Sequence, residues 1–237
     1  MNPHSSEQVV SRRTESLSID KGLQAYMVKI FNYMALGLAV SGGVAYGAST
    51  SQALMKAIFN TPLMWVVLFA PLLFVLFLGP IASRLSAKAV LGSFVAYAAT
   101  MGLSLSSIFF VFAHDSIVSV FGVSAALFLS MSLYGHTTKR DLTSMGSFLS
   151  MGVFGLIIAM VINIFMKNSM LEFVLSFLAI GIFTGLTAYD VQRLRSVYSE
   201  RHDSETLAQK AVFGALMLYL DFVNIFLHML RLFGRRS

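Results

Sequence analysis

Cysteine is absent from the 237 residues, which excludes disulfides, thiolate metal sites and thiol catalysis. Charge is scarce too: Asp, Glu, Lys and Arg make up 12% of the chain, about half the share of a soluble domain. No proline follows Pro80, and no glycine-rich phosphate loop is present. Gly92-Ser93 and Gly146-Ser147 have no histidine at matching depth, so a serine-nucleophile site is excluded. What fills the sequence is apolar: 57% hydrophobic residues, Phe 21, Met 14 and a mean hydropathy of +0.76. These features predict an all-α integral membrane protein, because a helix satisfies its own backbone polar groups in lipid. The formal charge of +6 does not imply nucleic acid, since the basic residues lie between apolar runs.

Seven apolar runs fall at 28–50, 62–82, 89–113, 116–135, 146–166, 170–190 and 211–230. Each is close to the roughly 20 residues that cross about 30 Å of hydrocarbon. Residues 1–25 read as a polar, loose cytoplasmic tail and 26–237 as a single seven-helix transmembrane domain. Arg12-Arg13 reads as the flank of the first span rather than an export signal, because no cleavable apolar region follows at the right distance. "AHDS", Ala113 to Ser116, allows only a tight hairpin, with Asp115 at the turn. "KRDL", Lys139 to Leu142, reads as a solvated joint with a helix cap at Asp141 or Thr143.

The joints predict an orientation. Arg12, Arg13, Lys21, Lys29, Arg84 and Lys88 fall on one side, joined by Lys139, Arg140, Arg193, Arg195, Arg201 and Lys210. Lys56, Lys167, Arg231, Arg235 and Arg236 fall on the other. The basic excess places the N-terminus in the cytoplasm. The basic ending "RLFGRRS" dissents, because an odd number of crossings sends it outside; a last segment that re-enters without crossing is the alternative. Gly181 and Gly185, and the step Gly155, Ala159, Asn163, have helix-contact spacing and predict a compact bundle.

Two acids stand inside apolar runs: Asp190 in "GLTAYD" and Asp221 in "LMLYLDFVNIFLHML". An ionised acid at mid-membrane costs at least about 2.5–3.5 kcal/mol, so each needs a partner, a proton or a cation. If the sixth helix ends near Tyr198, Asp190 lies about 12 Å inside its end. If the seventh starts near Ala211, Asp221 lies about 15 Å in, at a similar depth. Two carboxylates in contact cannot both ionise easily; a shared proton or a divalent cation removes most of the cost. Asp221, Asn224 and His228 share a helix face, and oxygens of Asp190, Asp221 and Asn224 with waters suit a hard cation such as Ca²⁺. The structural alternative pairs the acids with Arg84 or Arg193, or lets them share a proton permanently to hold helices together. His228 alone reads as a snorkelling residue near the outer end, and Asn163 and Asn224 as interhelical hydrogen-bond glue.

The stretches "SLYGHTTKRDLTSMGSFLSMGVFGLIIAMVINIF", "GLTAYDVQRLRSVY" and "LYLDFVNIFLHML" resemble the Bax inhibitor-1 family, also called the transmembrane Bax inhibitor motif family, and most of all its bacterial members. The likeness runs from about Lys21 and is strongest from Tyr134 to His228. It implies seven helices with the C-terminal one surrounded by the other six, and a pH-sensitive calcium leak across the plasma or inner membrane. Eukaryotic members suppress cell death, and some bacterial ones modulate a membrane protease. The resemblance carries the family's pH-sensing, ion-gating aspartate pair onto Asp190 and Asp221, with Ca²⁺ and protons as the ions concerned. It carries a latching arginine of the second helix onto Arg84. The competing functions are a non-channel regulator that binds another integral protein and an intramembrane aspartyl protease. The protease reading lacks a Gly-x-Gly-Asp context at Asp221 and a later Pro-Ala-Leu stretch, so no enzyme activity is expected.

Overall fold

The computed structural model describes residues 3–82, 85–199 and 203–236, with side chains from 21 onward except at 68, 72 and 75–82. The described residues form α1 (Pro3–Ser49), α2 (Gln52–Phe59), α3 (Leu63–Ala82), α4 (Ala87–Leu105) and α5 (Ile108–Val111). They continue with α6 (His114–Thr137), α7 (Thr143–Met166), α8 (Ser169–Val197) and α9 (Ser204–Phe233). Six stretches are long and apolar enough to span a membrane, or up to seven when α2 and the start of α3, bent by 93°, count as one. The protein is an all-α integral membrane protein. Helix α1 begins at Pro3, so the stretch expected as a loose tail is the N-terminal part of a helix whose spanning portion is Lys21–Ser49.

Helix ends sort onto two sides. At one end of the bundle, Gln192 accepts from the Leu142 amide and donates to the Arg140 carbonyl, Glu205 accepts from the Ala87 amide, and Gln209 donates to the Leu85 carbonyl. At the other, the Ala113 amide donates to the Arg235 carbonyl at 3.0 Å and the Arg235 amide to Ser116 Oγ at 2.9 Å. A cavity at this second end brings Met55 and Asn60 beside Ser107 and Val111. Among the described residues six spanning helices run between the two ends, and α2 with the start of α3 makes a seventh passage where the bent pair counts as one span. We refer to the two ends as the Arg195 end and the Arg231 end.

Helix α9 is the central element. Buried residues make up 72% of its most apolar stretch, against 6% for α7. It packs against α1, α4, α6 and α8, while α7 packs on α8 and α3 on α4. Helix α9 presents Leu218 and Ile225 on one face and Leu230 about a third of a turn around from them, all fully buried, so this broad apolar surface is stable only inside the bundle. At 30 residues it is about 45 Å long and unbroken. Its C-terminal extension meets Ala113 at the Arg231 end. The re-entrant alternative is therefore overturned: the last helix crosses.

Local chemistry explains the breaks. The expected loop before the second run contains α2, which Ser51 caps by accepting from the Leu54 amide, and which buries Met55 and Ile58 on one side. Between α4 and α5, the Ser106 and Ser107 hydroxyls bond back to the Leu103 and Ser104 carbonyls, diverting groups the helix ladder would use. Asn168 caps α8, and Lys167 takes a left-handed φ of 50°, so a two-residue turn joins α7 to α8. Asn163 serves this same turn, accepting from the Asn168 amide at 3.1 Å rather than bridging helices as expected.

The small-residue stripes are only partly helix contacts. A methyl group on Gly185 would meet Leu149 of α7. Gly155 and Gly181 have open space where a Cβ would be, so neither supports the close approach their spacing predicts. The tight crossings lie elsewhere. Gly135 of α6 lies against the backbone of Ala188 in α8, and Gly102 of α4 against that of Ser41 in α1.

Asp203 caps α9 from outside the span. It accepts from the Thr206 hydroxyl at 2.6 Å and the Thr206 amide at 3.1 Å, and these bonds hold its carboxyl below the ordinary carboxylate range. A depressed folded-state value means this cap stabilises above the ordinary range and is lost as pH falls through the depressed one. In Asp203→Ala, the acid-induced fall in thermal stability measured in detergent is expected to be shallower than in wild type.

Candidate functional site

Asp190 and Asp221 are 8% and 4% exposed, both within the packed interior of the bundle. They belong to α8 and α9, the helices joined by the short Tyr198–Asp203 link. Their side chains are neighbours across the α8–α9 contact, near enough for each carboxyl to act on the other. Asp221 Oδ2 is buried with no hydrogen-bond partner. Thr187, Ala188 and Val191 enclose Asp190 on its own helix, and Leu218, Tyr219 and Ile225 flank Asp221; all six are fully buried. Arg193, one turn beyond Asp190, lies close enough for its charge to act on that carboxyl, although its side chain is exposed. Arg84, expected as the latch, lies outside the described residues.

The register of α8 against α9 makes the pair. The expected depth for Asp221 took Ala211 as the start of the helix; α9 starts seven residues sooner, at Ser204. Asp221 therefore lies about 26 Å from the N-terminus of α9, and Asp190 about 10 Å from the C-terminus of α8. The carboxyls still meet, because the first turns of α9 project past the end of α8 and pack on the start of α4 through Glu205 and Gln209. Gly214 sets this register locally: Leu194 of α8 occupies the space a side chain there would need.

The other polar residues of the α9 face go elsewhere. Asn224 Nδ2 donates to the Leu220 carbonyl of its own helix at 2.8 Å, so its expected role as interhelical glue is replaced by a bond within α9. His228 is buried at 5% exposure rather than snorkelling, with Nδ1 3.3 Å from Ser176 Oγ of α8. It stands two turns, about 10 Å, beyond Asp221 along the axis. Among the described residues, no group of three or more His, Cys, Asp and Glu side chains gathers to hold a metal. Two carboxylates offer at most four oxygens, whereas calcium takes about six to eight, so a cation here would keep several waters.

A second polar lock lies beside the acids. Tyr219 and Ser41 Oγ are 2.6 Å apart, and Ser41 also donates to the Ala98 carbonyl at 2.7 Å, tying α1, α4 and α9 together. The rings of Phe94 and Tyr97 pack edge-on against Tyr219. Sequence reading did not single out these residues. The only signal was a tyrosine two positions before the acid, and its partners lie on helices remote in sequence.

Comparison with known proteins assigns the chain. The family model described as inhibitor of apoptosis-promoting Bax1 matches residues 23–237. The inner membrane protein YbhL of Escherichia coli K12 is 39% identical over 218 residues, covering 91% of this chain and 93% of YbhL. A protein of Caulobacter vibrioides is 40% identical over 228 residues, covering 92% and 91% of the two chains. A protein of Rickettsia prowazekii is 37% identical over 229 residues, covering 97% of each. With the match running from the first spanning helix through the aspartate-bearing pair to the C-terminus, the chain belongs to the Bax inhibitor-1 family.

Proposed function

We propose that this protein is a pH-sensitive calcium leak pathway of the bacterial inner membrane, conducting rather than catalytic, and gated by Asp190 and Asp221. The observation that carries the reading is the burial of two neighbouring carboxyls on packed helices, with Asp221 Oδ2 left without a hydrogen-bond partner. A carboxylate removed from water and left unpaired costs several kcal/mol, and a proton shared with its neighbour removes most of that cost. A divalent cation that displaces the proton removes it equally. Proton and calcium then compete for one pair of oxygens, and the bundle switches between a sealed, protonated pair and a cation-loaded one. The inner-membrane location rests on the name of the Escherichia coli relative and on the apolar helices. The N-terminus lies in the cytoplasm in this reading, because the Arg195 end carries most of the basic residues.

The test is calcium entry into liposomes that contain the purified protein and a calcium-sensitive dye. Wild type is expected to admit calcium at a rate that changes with pH. The Asp190→Asn, Asp221→Asn double variant is expected to lose most of the flux, and its pH dependence with it. Unchanged flux in the folded double variant would defeat the proposal.

A further inference from the structure

A cavity of about 620 Å³ opens between α1, α6 and α8 at the Arg195 end. Its wall is apolar along Met27, Val28, Leu129 and Leu133. Val28, Leu129 and Leu133 are also exposed on the outside of the bundle, so the cavity opens sideways toward lipid. Its polar end is made by Ser132, His136 and Arg195. Two buried atoms there have no partner: Ser132 Oγ and Arg195 Nε. Ser132 is 5% exposed, yet it does not return its hydroxyl to its own helix, as Ser124 and Ser130 of α6 do at 2.8 and 2.7 Å. Arg195 donates from Nη1 to the His136 carbonyl, which fixes the guanidinium over the mouth, and among the described residues no carboxylate pairs with it.

Buried donors without acceptors are expensive, and an arginine Nε and a hydroxyl at the same end of one cavity both suit a phosphate oxygen. Depth fits the same ligand. Arg195 and His136 lie in the last turns of α8 and α6, where lipid headgroups reside. The apolar wall reaches seven residues deeper to Leu129, about 10 Å, which accommodates the start of an acyl chain. Positive charge at the headgroup level selects anionic over zwitterionic lipid. We propose that the cavity between α1, α6 and α8 is a binding site for one anionic phospholipid, its phosphate held by Arg195 and Ser132 and an acyl chain laid along Leu129 and Leu133. The site is independent of the ion pathway, since it shares no residue with the aspartate pair.

The test is native mass spectrometry of the protein released from nanodiscs of equal phosphatidylglycerol and phosphatidylcholine. Wild type is expected to retain one phosphatidylglycerol, favoured over phosphatidylcholine by about tenfold, the worth of one charge-assisted hydrogen bond. Arg195→Gln is expected to abolish that preference, Arg195→Lys to keep part of it, and Ser132→Leu to expel the lipid by filling the cavity. Lys139→Gln, exposed at the same end, is expected to leave it unchanged. Should Arg195→Gln yield no folded protein, Ser132→Leu carries the test. Equal retention of the two lipids by wild type would overturn the proposal, as would a preference that survives in Ser132→Leu or disappears equally in Lys139→Gln. Displacement of the retained lipid by inorganic phosphate alone would overturn the lipid assignment in favour of a free-anion site.

Discussion

Gly135→Leu is expected to leave little folded protein in detergent, with a loss of at least about 3 kcal/mol against wild type. A Cβ at this position would collide with the Ala188 backbone, and backbone cannot move aside as a flexible side chain can. Both residues are buried, so an added side chain is forced into the α6–α8 contact. Relief would require α6 and α8 to separate along the segment that carries Asp190 two residues further on. Gly155→Leu is the matched control: its Cβ points into open space, and its effect is expected within about 0.5 kcal/mol of zero. Thermal unfolding followed by circular dichroism, with both variants in the same detergent, checks the contrast.

The second large effect concerns the acids one at a time. Asp190→Asn and Asp221→Asn are each expected to lower calcium entry by about tenfold or more, and the double variant to be little worse than either single one. Independent sites give additive free energies, whereas groups that share a proton and one ion act as a unit, so their effects do not sum. Asparagine keeps the size and a hydrogen bond but removes one of the two charges that hold a cation. Flux through all four proteins, measured in liposomes from one lipid batch, gives the cycle. Full additivity of the two losses would mean that the carboxyls work separately, despite being buried neighbours.

Much of this architecture is legible in the sequence because a membrane enforces it. Apolar runs of about 20 residues report spans directly. Two acids in such runs stand out because they are so costly there. The motif around Asp190 and Asp221 led to the family from the same residues. What the sequence does not carry is rotation and register. Gly155 and Gly181 have the spacing of contact residues, but spacing does not say which side of a helix meets a neighbour, and theirs face open space. Gly135, which belongs to no such repeat, and Gly102, which the reading passed over, make the tight crossings. The start of α9 lies in mixed-polarity residues, Ser204 to Lys210, that read as a loop until Glu205 and Gln209 are seen bonding to the Ala87 and Leu85 backbone. His228 looked like an outer-end residue because its partner, Ser176, is on another helix and gives no local signal. The Tyr219–Ser41 lock was hidden for the same reason, its partners being 178 positions apart.

The central claim, that Asp190 and Asp221 exchange a shared proton for a calcium ion, is tested most directly by infrared difference spectroscopy of the protein in bilayers as calcium is added. The account predicts that calcium erases a protonated-carboxyl band in wild type, and that this change is missing from Asp190→Asn and from Asp221→Asn. A protonated-carboxyl signal that calcium leaves untouched, or one that responds identically in wild type and both variants, would contradict it.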